Sequence, residues 1–265
     1  MSELALDDMS VPGDDQLETI RAAGYAGLQL FTDIDPERVA ACRRLGLALA
    51  GSGRVNKPEE AGPLAAQLAD VGMVAGTLHV GWGIEDDAEA HALIEAILKA
   101  SEQHRIPLYV ETHRATIFQD MWRTVQFARA WPDLRFNGDF SHWYTGQEMV
   151  YGNFDDKLAF IAPVLERIRF LHGRIGNPGC IQVDIGDGAE DGRPFVGHFR
   201  RLWTAAMRGF VASASPDDVL VFSPELLASR IYYQQSESDR WEQSLVLCRI
   251  AKECFQSCID GRSSA

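Results

Sequence analysis

The sequence predicts a single (β/α)8 barrel, and three observations carry that expectation. Short apolar runs alternate with longer stretches of helical period along the 265 residues, the pattern of a parallel sheet whose strands are joined by helices. Eight such runs are the number that closes a barrel, and the chain length is usual for that fold. Five of the runs also finish in a titratable side chain, all at the same end. An open doubly wound sheet is the alternative. It loses support because no G-x-G-x-x-G follows the first strand and no Walker A sequence occurs.

In chain order, the expected strands start with ELAL (3–6), the weakest of the runs, followed by GLQLF (27–31) and LALAG (47–51). MVAGTLHV (73–80), PLYVE (107–111), LRFNGDF (134–140), IRFLH (168–172) and VLVFSPE (219–225) complete the set. Between them, Ala90, Leu93, Ile94, Ile97 and Leu98 form one apolar helical stripe. TIFQ (116–119) has the Thr-x-x-Gln form of a capping box and is expected to open the helix after Glu111. A C-terminal helix over about 237–257 carries Trp241, Leu245, Cys248 and Phe255 on one face. Two connections are long, 141–154 and 173–197, and are expected to be active-site loops. The first holds Trp143, Tyr144, Tyr151 and Phe154, which suit a pocket wall; the second holds seven glycines, which suit a mobile cover. No repeat, linker or low-complexity tract divides the chain, so residues 1–265 are assigned to one domain.

Composition excludes several function classes. With 25 basic and 38 acidic residues the net charge is −13, which offers no general footprint for nucleic acid or an anionic membrane. No apolar run reaches the about 20 residues that span a bilayer, and the N-terminus lacks the features of a signal peptide. The five cysteines are odd in number and show no C-x-x-C spacing, which indicates reduced thiols in a cytoplasmic protein.

The strand ends carry the chemistry. PLYVE ends in Glu111, LRFNGDF delivers Asp139, IRFLH ends in His172, VLVFSPE ends in Glu225, and GTLHV carries His79 near its end. In a barrel these ends are neighbours around one rim. Three carboxylates and an imidazole there suit one divalent ion, Mn²⁺, Mg²⁺, Co²⁺ or Zn²⁺, and the ion would remove the cost of crowding those charges in a buried rim.

The motifs YVETHR (109–114), NGDFSH (137–142), FLHGR (170–174) and SPEL (223–226) resemble those of the xylose-isomerase-like TIM barrels, the sugar isomerase and epimerase superfamily. The resemblance covers nearly the whole chain in strand order. It implies that Glu111, Asp139, His172 and Glu225 hold a single metal ion, and that His142 is the histidine of an Asp-x-x-His pair. It implies an isomerase or epimerase acting on a sugar, keto-sugar or sugar acid through a metal-stabilised enediolate, with Glu111 and Glu225 moving protons from opposite faces of the substrate. His142 and His79 would hydrogen-bond sugar hydroxyls, Arg174 would hold a carboxylate, phosphate or hydroxyl, and Trp82 and Trp143 would offer apolar faces to a sugar ring. The implied partner is a small carbohydrate, and the implied assembly is a dimer or tetramer.

Departures from the tagatose-type epimerases narrow the expectation. Ile117 stands where those enzymes carry a further acid, and Pro178 where they carry an arginine. With His113 and Arg114 on the same loop as Ile117, a substrate other than a plain ketose is expected. The alternatives are a metal-dependent lyase or dehydratase acting on a keto-sugar or keto-glycoside, a phosphodiesterase like endonuclease IV, and a sugar-binding barrel without catalysis. The phosphodiesterase would need an Asp-x-His; VDIGDG supplies Asp184 and Asp187 without the histidine.

Overall fold

A computed structural model describes residues 1–9, 11, 14–31, 34–228 and 239–263. Seven parallel strands follow one another in chain order: β1 (Gly27–Leu30), β2 (Ala48–Val55), β3 (Gly76–Val80), β4 (Leu108–Glu111), β5 (Phe136–Gly138), β6 (Ile168–Gly173) and β7 (Val221–Pro224). Each pairs with the next in parallel register, so every C-terminal strand end faces the same rim. The helices are α1 (Asp14–Ala22), α2 (Pro36–Arg44), α3 (Pro58–Asp70), α4 (Asp87–His104), α5 (Met121–Ala130), α6 (Phe140–Gly146), α7 (Phe154–Phe160), α8 (Ala162–Leu165), α9 (Pro194–Ser213) and α10 (Arg240–Ser263). The architecture is a nearly closed α/β barrel. No described helix is long and apolar enough to cross a membrane.

The expected first strand at 3–6 is instead part of a 3₁₀ helix, Glu3–Asp8, whose start is capped by the Ser2 hydroxyl accepting from Leu4 N–H. The eighth position of the barrel falls to Met1 and Ser2. Ser2 N–H donates to Pro224 O at 3.1 Å and Gln29 N–H to Met1 O at 2.8 Å, bridging β7 and β1. Two residues span the gap because the capped turn that follows needs no ladder partners.

β2 runs four residues past the expected end at Gly51, through GSGRV to Val55. The glycines look like a turn signal but serve close packing. A Cβ at Gly51 would lie 2.4 Å from Leu68 Cδ2, and one at Gly53 2.6 Å from Leu64 Cδ2, so α3 can lie flat on the strand only if both are glycine.

The capping box expected at TIFQ does not open a helix. Thr116 instead donates to His113 O and accepts from Phe118 N–H within a turn, and α5 starts at Met121 with Asp120 accepting from Arg123 N–H at 2.8 Å. In α4 the expected stripe is the buried face, with Leu98 half-buried at its margin. In α10 the buried face runs through Ser244, Leu247, Ala251, Cys254 and Cys258, flanked by the half-buried Trp241, Leu245, Cys248 and Phe255. Residues 237 and 238, the expected start of that helix, lie outside the described residues.

The two long connections also differ from expectation. Half of 141–154 is helical, because β5 passes into α6 with Asp139 as its N-cap. Three of its aromatics, Trp143, Tyr144 and Phe154, are buried, with Tyr144 OH meeting His198 Nδ1 at 2.9 Å, whereas Tyr151 is exposed. The connection from Arg174 to α9 is irregular but anchored. Ile175, Ile181 and Ile185 are buried, and Ile185 N–H donates to Gln243 Oε1 of α10 at 3.0 Å. Its first half packs onto the barrel through these isoleucines, while residues 186–187 and 189–192 are exposed.

Candidate metal centre and active site

The barrel brings four side chains from four strand ends to one point. Glu111 closes β4, Asp139 follows β5, His172 lies near the end of β6, and Glu225 follows β7. One ligand atom from each lies within 4.8 Å of the others, and all four residues are buried. His172 Nδ1 faces the three carboxylates, 3.5 Å from Glu111 Oε2, 3.8 Å from Asp139 Oδ2 and 3.2 Å from Glu225 Oε2.

Burying three carboxylates is costly unless cations and donors meet them. Arg174, itself buried, donates from Nη2 to Asp139 Oδ2 and to Glu225 Oε2, the latter at 2.8 Å. Burial alone would raise the pKa of Asp139, but Arg174 and His142 hold it well below the usual carboxylate range. Burial acts likewise on Glu111, and His172 and His79 bring it well below that range. His172 moves the other way: burial would lower it, but Glu225 and Glu111 raise it to about 10.

The residues fit a divalent ion. Glu111 Oε1 is buried with no hydrogen-bond partner among the described residues, so one carboxylate oxygen keeps its lone pairs uncommitted beside the other three donors. The far side of the imidazole is held as a metal-ligating histidine requires. The Gln29 amide of β1 stands against His172 Nε2, with its own Nε2 at 3.0 Å and Oε1 at 3.2 Å, while His172 Nδ1 faces the carboxylates. Asn137 of β5 donates from Nδ2 to Glu111 Oε2 at 3.2 Å, and Ser141 Oγ donates to Asp139 Oδ1 at 2.5 Å. None of Gln29, Asn137 or Ser141 was anticipated from sequence. The available signal was a polar residue inside an apolar strand, at Gln29 and Asn137. Gln29→Ala should weaken divalent-ion affinity by about 10–100-fold, the usual effect of losing such a support; unchanged Mn²⁺ affinity by calorimetry would show that Gln29 does not orient the ligand.

The remaining expected residues separate into two groups. His142, on α6, places Nε2 3.5 Å from Asp139 Oδ2 and is buried. The His113 ring lies between those of His79 and His142, with centroids 4.0 and 3.9 Å away, so three imidazoles form a wall beside Glu111. Burial and the neighbouring His142 lower the His113 pKa to about 3, which keeps that ring neutral. Trp82 is 54% exposed at the rim. Trp143 does not reach the site. It is fully buried and donates from Nε1 to Phe118 O at 2.9 Å, which corrects its expected role as a face for the sugar ring.

His79, Glu111 and His113 also approach one another within 4.8 Å. Hydrogen-bond direction assigns this group a different task. Arg54 Nη2 lies 3.3 Å from His79 Nδ1, and a guanidinium only donates, so Nδ1 accepts. The ring hydrogen is therefore on Nε2, 3.4 Å from Glu111 Oε2. Arg54, His79 and Glu111 form a donor chain that ends on a metal-competent carboxylate.

Three carboxylates and an imidazole gathered at the strand ends of a parallel α/β barrel define a class: a barrel with a metal-competent cluster at its C-terminal rim. No protein-family model and no curated protein matches the sequence. Solved structures do match. A xylose isomerase-like TIM barrel protein from Mycobacterium smegmatis, in complex with magnesium, is 14% identical over 91% of each chain, with a TM-score of 0.55. The probable 3-DHS dehydratase AsbF from Bacillus anthracis is 12% identical over 94% of this chain and 96% of its own, with a TM-score of 0.55. A xylose isomerase domain protein from Planctomyces limnophilus is 14% identical over 94% of each, with a TM-score of 0.53. The chain has the fold of the xylose isomerase-like TIM barrels.

Proposed function

We propose that this protein is a divalent-metal-dependent isomerase or epimerase acting on a sugar, keto-sugar or sugar acid. The observation that supports the reading is the set of four donor atoms from Glu111, Asp139, His172 and Glu225 within 4.8 Å at the C-terminal rim. A bound ion would supply Lewis acidity toward adjacent carbonyl and hydroxyl oxygens of the substrate. The protein's own groups do the rest. Glu111, its Oε2 held by Asn137 and His79, would take a proton from the carbon α to the carbonyl. Glu225, held through Oε2 by Arg174, returns a proton from the other side. In the imidazole wall, His79 is committed to Arg54 and Glu111, while His113 Nε2 and His142 Nδ1 would meet sugar hydroxyls.

The test is substrate hydrogen exchange in D₂O across a panel of ketoses and sugar acids, with Mn²⁺ present and with it chelated. Ion-dependent exchange that disappears in Glu111→Gln is the expected result. The absence of exchange with every compound would end the proposal. Loss of water, or cleavage of a glycoside, without formation of an epimer would move the assignment to a lyase built on the same enolising step.

A further inference from the structure

Arg54 is a cation at the mouth of the site that no carboxylate of the described residues contacts directly. It lies near the end of β2 in register with His79 of β3 and is half-buried. Its guanidinium is set in place on two sides. Nη1 donates to Gly81 O at 2.7 Å, and the plane sits 4.2 Å from the centroid of the Trp82 ring. Among the described residues it makes no ion pair, although the chain carries 38 acidic side chains. Glu111 and Glu85 act on it through space, and the hydrogen bonds of both carboxylates go to other groups. Glu85 accepts the backbone N–H groups of Trp82, Gly83 and Ile84, and Glu111 accepts from His79 and Asn137. A partly desolvated guanidinium held in place by neutral groups, with no carboxylate of the described residues in direct contact, is suited to an anion that arrives from outside. Its position is one imidazole ring from Glu111, on the side where His79 and Trp82 meet solvent. An anion held there would lie at the far end of a molecule whose other end reaches the four-ligand cluster.

Resting on the isomerase reading above, we propose that the substrate carries an anionic group, a carboxylate or a phosphate, and that Arg54 on the Trp82 face is the residue that recognises it. Arg174 is already engaged by Asp139 and Glu225, which leaves Arg54 as a cation open to this contact. The substrate class is then a sugar acid or a sugar phosphate rather than a neutral sugar.

The experiment measures binding to Mn²⁺-loaded protein of pentoses and hexoses, each supplied as the neutral sugar, the corresponding acid and the phosphate ester. The same panel is run on Arg54→Gln and Arg54→Lys. The expected outcome is that the tightest ligand is anionic, that Arg54→Gln weakens it by about 10–100-fold, and that Arg54→Lys retains part of the affinity. Acid and phosphate arms of the panel identify which anion is used. A neutral sugar as the tightest ligand, equal affinity of the anionic ligand for Arg54→Gln, or no anionic ligand in the panel would each overturn the proposal. Mn²⁺ content is measured in parallel for all three proteins. Wild-type protein that holds the ion but shows no preference for an anionic ligand overturns only the Arg54 assignment, whereas wild-type protein that holds no ion removes the metal reading itself.

Discussion

Asp139→Asn is expected to lower affinity for Mn²⁺ by about a hundredfold or more while leaving the protein folded. The magnitude follows from the geometry. Asp139 Oδ2 lies among the donor atoms of the cluster, and loss of an outer support alone costs about 10–100-fold. Removing a charged ligand must cost at least as much. The fold should tolerate the change because Asp139 is also the N-cap of α6, accepting from Ser141 N–H at 3.1 Å, and asparagine caps a helix about as well as aspartate. Metal content of the purified protein, with calorimetric Mn²⁺ titration of wild type and variant, checks this. About one ion per wild-type chain, lost in the variant, is the expected result. An unaltered affinity would remove Asp139 from the ligand set and with it the four-residue site.

Arg174→Met should destabilise the ion-free protein by about 3–5 kcal/mol, because it strands buried charge that had a partner. Arg174 reaches both Asp139 and Glu225, and both carboxylates are buried beside Glu111. Without the guanidinium only His172 remains to face all three. A divalent ion supplies the missing positive charge, so saturating Mn²⁺ should return most of the lost stability to the variant and stabilise it more than it stabilises wild type. Urea unfolding of both proteins with and without Mn²⁺ measures the two differences. A variant as stable as wild type in the absence of ion would show that Arg174 does not compensate the cluster. If the Mn²⁺-loaded variant is folded but has a raised KM, Arg174 also touches substrate.

The principal strands were legible because a buried parallel strand is an apolar run with little else in it, and each of the seven observed strands overlaps such a run, β2 extending past its own. Glu111, Asp139, His172 and Glu225 were legible for the converse reason: a charged or titratable residue at the end of such a run breaks the pattern. Arg54 was not, since GSGRVN reads as a turn. Its strand continues only because α3 presses Leu64 and Leu68 against glycines, a contact between segments that no local pattern contains. Trp143 misled for a related reason. An aromatic after a strand end looks the same whether it lines a pocket or turns into the core, and the choice depended on Phe118 O lying within reach of its indole N–H.

The chain by itself therefore determined which residues must collect at the rim, because charge placed at the ends of apolar strands has to be satisfied where those ends meet. Only the tertiary structure decided how it is satisfied. The curvature of the sheet sets Gln29 behind His172, Asn137 beside Glu111, Arg174 between Asp139 and Glu225, and Arg54 against Trp82 at the mouth. Hydrogen bonds and ion pairs act over a few ångströms, and residues brought that close here stand far apart along the chain, with 143 positions separating Gln29 from His172.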